Sequence, residues 1–339
     1  MRKPLSATIS GLILATALAA PTWANEAARP GSLNYVEGQA SIGNTNLDAK
    51  SIGSTELGPG QTLATRAGKA EVLLTPGVFF RVGDNSVVRM ISPSLTDTEV
   101  ELMQGNATVE VTDIHRENDL RIVEDGKSTE LVKNGLYEFD ADHQQVRVFD
   151  GEALVQDGEK QVKIKGGHEV DFSAGEPLKA RKFDKQSVES TDLYRWTSLR
   201  SSYLAEANAD AARTYVAGGW GGYDGWYWDP WFGAYTFLPG DGIFYSPFGW
   251  GFYSPGFAYY APGFYGGRYY HHFGHDYHAW GPGVHYGYPR NYGHGVQYGA
   301  RPQGGSGYRG GSAPQSFGGS GFHNGGLTGG GFHGGGSHH

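Results

Sequence analysis

The chain has 339 residues, 0 Cys and a formal net charge of -8 at pH 7. Without Cys it has no disulfide, no thiolate metal site and no Cys nucleophile, so any ordered part must fold through an ordinary apolar core. The acidic balance lacks the clustered positive charge that general nucleic-acid binding needs, and no nucleic-acid partner is expected.

Arg2 and Lys3 precede the short apolar run from Leu5 to Ala20, and Thr22-Trp23-Ala24 puts small residues where a signal peptidase reads. Residues 1–24 are therefore read as an export signal cleaved after Ala24, with Ala19 as a second cleavage point. The run is shorter than the ~20 apolar residues of a spanning helix, which makes a retained anchor the weaker alternative. No later segment is apolar for long enough to cross as a helix. The expectation is an exported protein of the periplasm, cell surface or exterior, with no transmembrane span after signal removal.

From Gly31 to Arg181, short apolar runs alternate with Gly, Asn and Asp turns, and no long helical period interrupts them. Candidate strands are Glu71–Leu74, Val78–Val82, Val87–Met90, Val100–Met103, Tyr137–Phe139, Val146–Phe149 and Val162–Lys165. Pro76-Gly77, Gly83-Asp84-Asn85, Asn134-Gly135, Asp150-Gly151, Asp157-Gly158 and Gly166-Gly167 punctuate them. Residues 31–181 are read as one all-β domain. A unit of the form apolar-x-x-Gly-x-Ala-x-apolar occurs at Tyr35–Ile42, Leu102–Val109 and Val148–Val155. Its Gly permits a positive φ or a tight bend, and its small Ala fits beneath a neighbouring strand. Three copies at irregular spacing suit a short-strand roll or a solenoid-like stack, or else three ordinary hairpins of a sandwich.

Leu57-Gly58-Pro59-Gly60-Gln61-Thr62-Leu63-Ala64-Thr65, then Glu71–Leu74, Phe79–Ser86 and Val100–Val111, together resemble the FecR domain. Asn134–Phe139 and Val148–Val155 are similar to that family's closing strands. The resemblance covers roughly residues 31 to 175, and it rests on turn and core signatures rather than chemical ones. The best-known FecR proteins are membrane-spanning regulators that pass an iron-uptake signal to a sigma factor. This chain is expected to lack the anti-sigma segment and the retained anchor. The resemblance then implies an exported β domain used for protein or envelope contact.

Residues 184–214 carry Val188, Leu193, Trp196, Leu199, Tyr203, Leu204, Ala207 and Ala211 at three- and four-residue steps, the stripe of an amphipathic helix. Ser187 or Ser190 is the expected cap. Arg195, Arg200, Glu206, Asp210 and Arg213 are expected mostly on the wet side. Two roles fit the stripe: packing on the β domain, or binding a partner with Trp196 and Tyr203 as anchors.

Beyond Tyr215 the composition changes to Gly, Tyr, Trp, Phe, Pro and His. Residues 216–299 form an aromatic, Gly- and Pro-rich low-complexity segment, and residues 300–339 are read as a disordered Gly/Ser/His-rich tail. The β domain is expected to end before the aromatic segment, leaving its rings to touch other things. Asp224, Asp229, Asp241 and Asp276 balance Arg268, Arg290, Arg301 and Arg309, so the acidic charge lies in the front part. Ten of the 13 His lie from position 271 onward, and His271, His272, His275 and His278 sit within eight residues beside Asp276. Imidazoles at that density are candidate ligands for a divalent metal, at least weakly.

No catalytic constellation is legible. His115 and His168 have no nucleophile nearby in sequence, the Asp140–His143 cluster reads as a solvated turn, and Gly83–Ser86 lacks calcium-loop spacing. No phosphate or dinucleotide loop is present, and no cofactor is implied. The expectation is a non-enzymatic FecR-like protein that contacts an envelope or surface protein. Two alternatives stay open: a structural or adhesive protein whose tail associates with its own copies, and a scaffold for a metal-binding His-rich tail.

Overall fold

A computed structural model describes residues 28–175, 177–218 and 222–262. The expected export signal, His271, His272, His275 and His278, and the 300–339 tail lie outside these residues. The first fifteen strands in chain order are β1 (Leu33–Ile42), β2 (Thr45–Asn46), β3 (Thr62–Leu73), β4 (Val78–Val82), β5 (Val87–Ser94), β6 (Asp97–Gln104), β7 (Asn106–Val111), β8 (Leu120–Glu124), β9 (Lys127–Leu131), β10 (Gly135–Asp140), β11 (Gln145–Asp150), β12 (Glu152–Asp157), β13 (Lys160–Lys165), β14 (His168–Asp171) and β15 (Arg181–Lys182). They join into one sheet of order β13-β12-β9-β8-β6-β5-β3-β4-β7-β10-β11-β14-β15, with β1 on β3 and β2 on β1. The pairing of β6 with β8 is parallel. The other pairings in this sheet are antiparallel, and where consecutive strands pair, as β3 with β4 and β5 with β6, a short turn dictates it. The protein is all-β with one long helix, and each strand read from the sequence overlaps an observed one, with only Leu74 falling one residue past β3.

The three recurrent glycines share a backbone state: φ is +65° at Gly38, +75° at Gly105 and +97° at Gly151. Gly38 marks a register shift between β1 and β3, while Gly105 and Gly151 sit between successive strands. The alanines two residues on, Ala40, Ala107 and Ala153, are buried in the main apolar core. The unit is thus a device for turning a strand and tucking its next residues beneath a neighbour.

Strand β4 is buried on both faces. Phe80 belongs to the main core with Val72, Val109 and Tyr137, whereas Phe79 points the opposite way into a second cluster with Leu73, Leu204, Phe237 and Phe252. What covers that second face is α2 (Asp192–Gly218), preceded by the short α1 (Lys185–Glu189). The single helix expected over 184–214 is therefore two. Asp184 caps α1 through the Gln186 N–H, and Thr191 Oγ1 accepts from the Tyr194 N–H at the start of α2. Neither expected serine caps α2; the Ser190 hydroxyl donates back to the Ser187 carbonyl at 2.6 Å. At 27 residues α2 is about 40 Å long, and no helix among the described residues is long and apolar enough to cross a membrane.

The expected end of the core before residue 216 is corrected for residues 222–262. They form two hairpins, β16 (Gly225–Asp229) with β17 (Ala234–Leu238) and β18 (Ile243–Tyr245) with β19 (Gly251–Tyr253), then a turn of 3-10 helix over Pro255–Tyr260. The Trp226 ring meets Phe79 edge-on at 5.1 Å between centroids, and Phe252 lies 6.0 Å from Phe79. Asn208 on α2 donates to the carbonyls of Phe237 and Tyr253 and accepts the Tyr253 N–H at 2.7 Å, so one side chain ties both hairpins to the helix. Asn34 on β1 accepts the Tyr235 N–H at 2.7 Å and donates to the Tyr235 carbonyl. The physical reason is burial: the sheet's second face needs cover, and rings supply more area per residue than aliphatic chains.

Candidate functional site

The register of β3, β4 and β7 sets Glu71 opposite Arg81, and Phe79 opposite Glu110. Glu71, Arg81 and Glu110 therefore project from the face that α2 covers, and all three are fully buried. Arg81 Nε donates to Glu71 Oε2 at 2.7 Å, and its Nη1 donates to Glu110 Oε2 at 2.5 Å. From α2, Arg200 Nη2 donates to Glu71 Oε1 at 2.8 Å and Ser201 Oγ donates to Glu110 Oε1 at 2.7 Å. Asn34 adds a bond to Glu71 Oε1 at 2.9 Å, and the Arg200 guanidinium lies 4.0 Å over the Tyr35 ring. Two carboxylates and two guanidinium groups cancel in charge.

Burial pushes the Glu71 carboxyl up, but Arg200 and Arg81 outweigh it and hold it below the usual carboxylate range. Burial also raises Glu110, and there Arg81 and Ser201 do not fully offset it. Next to this cluster the Thr108 and Thr197 hydroxyls meet at 2.8 Å, and Lys69 reaches Asp84 at 2.7 Å and Asp192, the first residue of α2, at 2.6 Å. Closed to solvent and neutral overall, the cluster fixes where α2 sits on the sheet. It is a mount, with no surface for a substrate to reach.

Trp196 is buried on this mount, its ring 6.1 Å from that of Tyr35, and Tyr203 is half-buried. Trp196 thus anchors the helix to the chain's own sheet. Arg200, expected on the wet side, is 8% exposed and paired. The signal that would have found it is its place four residues after Trp196 and four before Leu204, on the buried stripe. Arg195, Glu206 and Asp210 are exposed as expected, and Arg213 is half-buried.

On this mount residues 222–262 present large rings to solvent: Trp231 (59% exposed) and Tyr245 (61%) on the hairpins, Tyr223 (77%) just before them and Tyr260 (56%) in the 3-10 turn. The turn beneath Trp231 is fixed from below by Asp229, which is itself 2% exposed. Its Oδ1 accepts the N–H groups of Trp231 at 2.8 Å and Phe232 at 3.1 Å. Burial raises the Asp229 carboxyl despite those bonds.

No family model and no curated protein matches the chain. Two crystal structures of a "putative anti-sigma factor" from Parabacteroides distasonis ATCC 8503, at 1.65 Å and 2.50 Å resolution, are similar to it. Their TM-scores are 0.33 and 0.32 at 17% and 18% sequence identity, over 38% and 37% of this chain. The chain spans 62% and 60% of the length of those two proteins.

Proposed function

We propose that this chain is a non-enzymatic, exported FecR-like binding protein, in which sheet and helix form a rigid mount and the hairpin rings contact an envelope protein. The observation that carries this reading is the exposure of Trp231 and Tyr245 on hairpins whose undersides are locked into the fold. Large rings held in water by a rigid support are placed to be covered, and Trp and Tyr are the residues on which protein interfaces concentrate their binding energy. Pre-organisation lowers the entropy lost when a partner covers them. The FecR-like part of the reading rests on the turn and core motifs from Leu57 to Val155.

The test is fractionation of the native host combined with photo-crosslinking. A benzophenone amino acid is placed at position 231 or 245 of the full chain, or at the exposed edge position of Lys160 as a control. The expected result is an exported chain that forms an adduct with one envelope protein from positions 231 and 245 and none from 160. A cytoplasmic chain, or equal adducts from all three positions, overturns the reading. An adduct of twice the chain mass replaces it with self-association, which the continued run of Tyr and Phe beyond Pro262 favours as the second reading.

A further inference from the structure

Outside the mount lies one more cluster of chemistry-bearing side chains. Asp113 follows β7, His115 begins the short turn Arg116–Asn118, and Asp224 immediately precedes β16. The ligand-type atoms of the three all lie within 4.8 Å of one another, and His115 Nε2 stands 3.5 Å from Asp113 Oδ2. We propose that Asp113, His115 and Asp224 form a divalent-cation site of zinc type that pins the start of the first aromatic hairpin to the end of β7.

Charge is the first argument. Four of the other largely buried carboxylates of the sheet, Glu71, Glu110, Glu138 and Glu169, are each paired with an arginine, while Glu124, buried without one, has its carboxyl pushed up to about 8. Asp113 is 7% exposed and faces a second carboxylate. Among the described residues neither Asp113 nor Asp224 has a lysine or arginine partner; the imidazole of His115 is the neighbour they share. A cation between them supplies the compensation that those four carboxylates receive from arginine.

Geometry is the second. Zinc holds oxygen and nitrogen ligands at about 2.0–2.2 Å, so ligand atoms around one ion stand roughly 3.0–3.6 Å apart. The His115–Asp113 pair already has that spacing, and Asp224, within 4.8 Å of both, has at most about 1–2 Å to close.

The backbone that carries the ligands is also held in place, and one ligand carboxylate, that of Asp224, is hydrogen-bonded from behind. The Thr112 N–H donates to the Gly77 carbonyl at 2.8 Å and Asn134 donates to the Thr112 carbonyl at 2.7 Å, fixing the chain at Asp113. The His115 N–H donates to Asn118 Oδ1 at 2.8 Å. The Gly240 N–H donates to Asp224 Oδ1. One imidazole and two carboxylates, with room for water at the exposed His115 and Asp224, match a borderline first-row ion. Calcium and magnesium prefer oxygen ligands throughout.

Zinc binding by the full chain tests this, once the His-rich segment is removed as a competitor. The background is the full chain with all ten His from His271 onward changed to Gln. It is expected to bind one zinc per chain by calorimetry and to show a higher thermal midpoint with zinc than without. Asp224→Asn and His115→Gln, both at exposed positions, should each weaken zinc at least about tenfold and abolish the thermal shift, with unchanged circular dichroism. No zinc uptake by the background chain, or the same affinity in both variants, overturns the proposal. So does displacement of zinc by an equal concentration of calcium.

Discussion

Replacing Arg200 with Met asks whether the buried charges hold α2 in place. Met keeps most of the stem volume and removes the guanidinium, its bond to Glu71 and its contact with the Tyr35 ring. The interior is left with Glu71, Glu110 and Arg81, a net charge of -1 by subtraction of one cation from the balanced four. Removing one partner from a buried ion pair costs about 3–5 kcal/mol. Glu71 keeps Arg81 and Asn34, so a loss near the lower end, about 3 kcal/mol, is expected. With a urea slope of about 2 kcal/mol/M this moves the unfolding midpoint down by roughly 1.5 M. Glu71 loses the first of the two guanidinium groups that hold its buried carboxyl down, so in the variant that carboxyl rises and relieves the imbalance by taking a proton. Its raised folded pKa means the loss is small below the unfolded carboxylate value and grows as pH rises through the folded one, so Arg200→Met should be more harmful at pH 8 than at pH 5. Adding Glu71→Gln restores neutrality and should return at least half of the lost midpoint. A midpoint shift below about 0.3 M in Arg200→Met, or a double variant weaker than the single one, would refute the reasoning.

Two further outcomes are expected. Glu124, fully buried at the end of β8, has its carboxyl pushed up to about 8, by burial first and then by Asp140 and Asp125. Its ionisation costs nothing below the unfolded value of 4.5 and its full penalty above about 8. Stability should therefore fall from pH 5 to pH 9, and Glu124→Gln should remove a component on the order of 4 kcal/mol at the alkaline end; parallel urea-midpoint profiles of the two proteins would contradict this. Gly105→Ala forces a Cβ to 2.7 Å from the Ser86 Cα at a φ of +75°, whereas Gly126→Ala has φ +71° with nothing within 4 Å. The first should cost about 3 kcal/mol and the second about 1 kcal/mol, read from denaturant midpoints, and equal losses would mean that close approach plays no part at Gly105.

Local pattern carried much of the fold. Val78–Val82 and Val146–Phe149 are strands because alternating, β-branched and aromatic runs between turn residues have few other ways to bury themselves. The glycines at 38, 105 and 151 were legible as backbone devices, because a tight bend followed by a small residue leaves a mark in three neighbouring letters. The mount was not legible. A period of two says that the two faces of β3 and β4 differ, but it does not say what covers each face. Glu71 and Arg81 read as polar positions of half-buried strands, and only Arg200, 129 residues beyond Glu71, closes over them.

The aromatic hairpins show the same division. Gly, Pro and rings in the sequence spell a chain that is expensive to order, which is correct for an isolated segment. That cost is offset by an apolar second face on β3 and β4 and by Asn34, which grips Tyr235 across 201 residues of chain. Sequence alone located seven of the strands, the turns between them and the apolar stripe of α2, since each depends on neighbours within a few residues. Tertiary structure decided which charges are sealed inside, where the core stops, and that Asp113, His115 and Asp224 meet, because those depend on contacts between segments that no local period records.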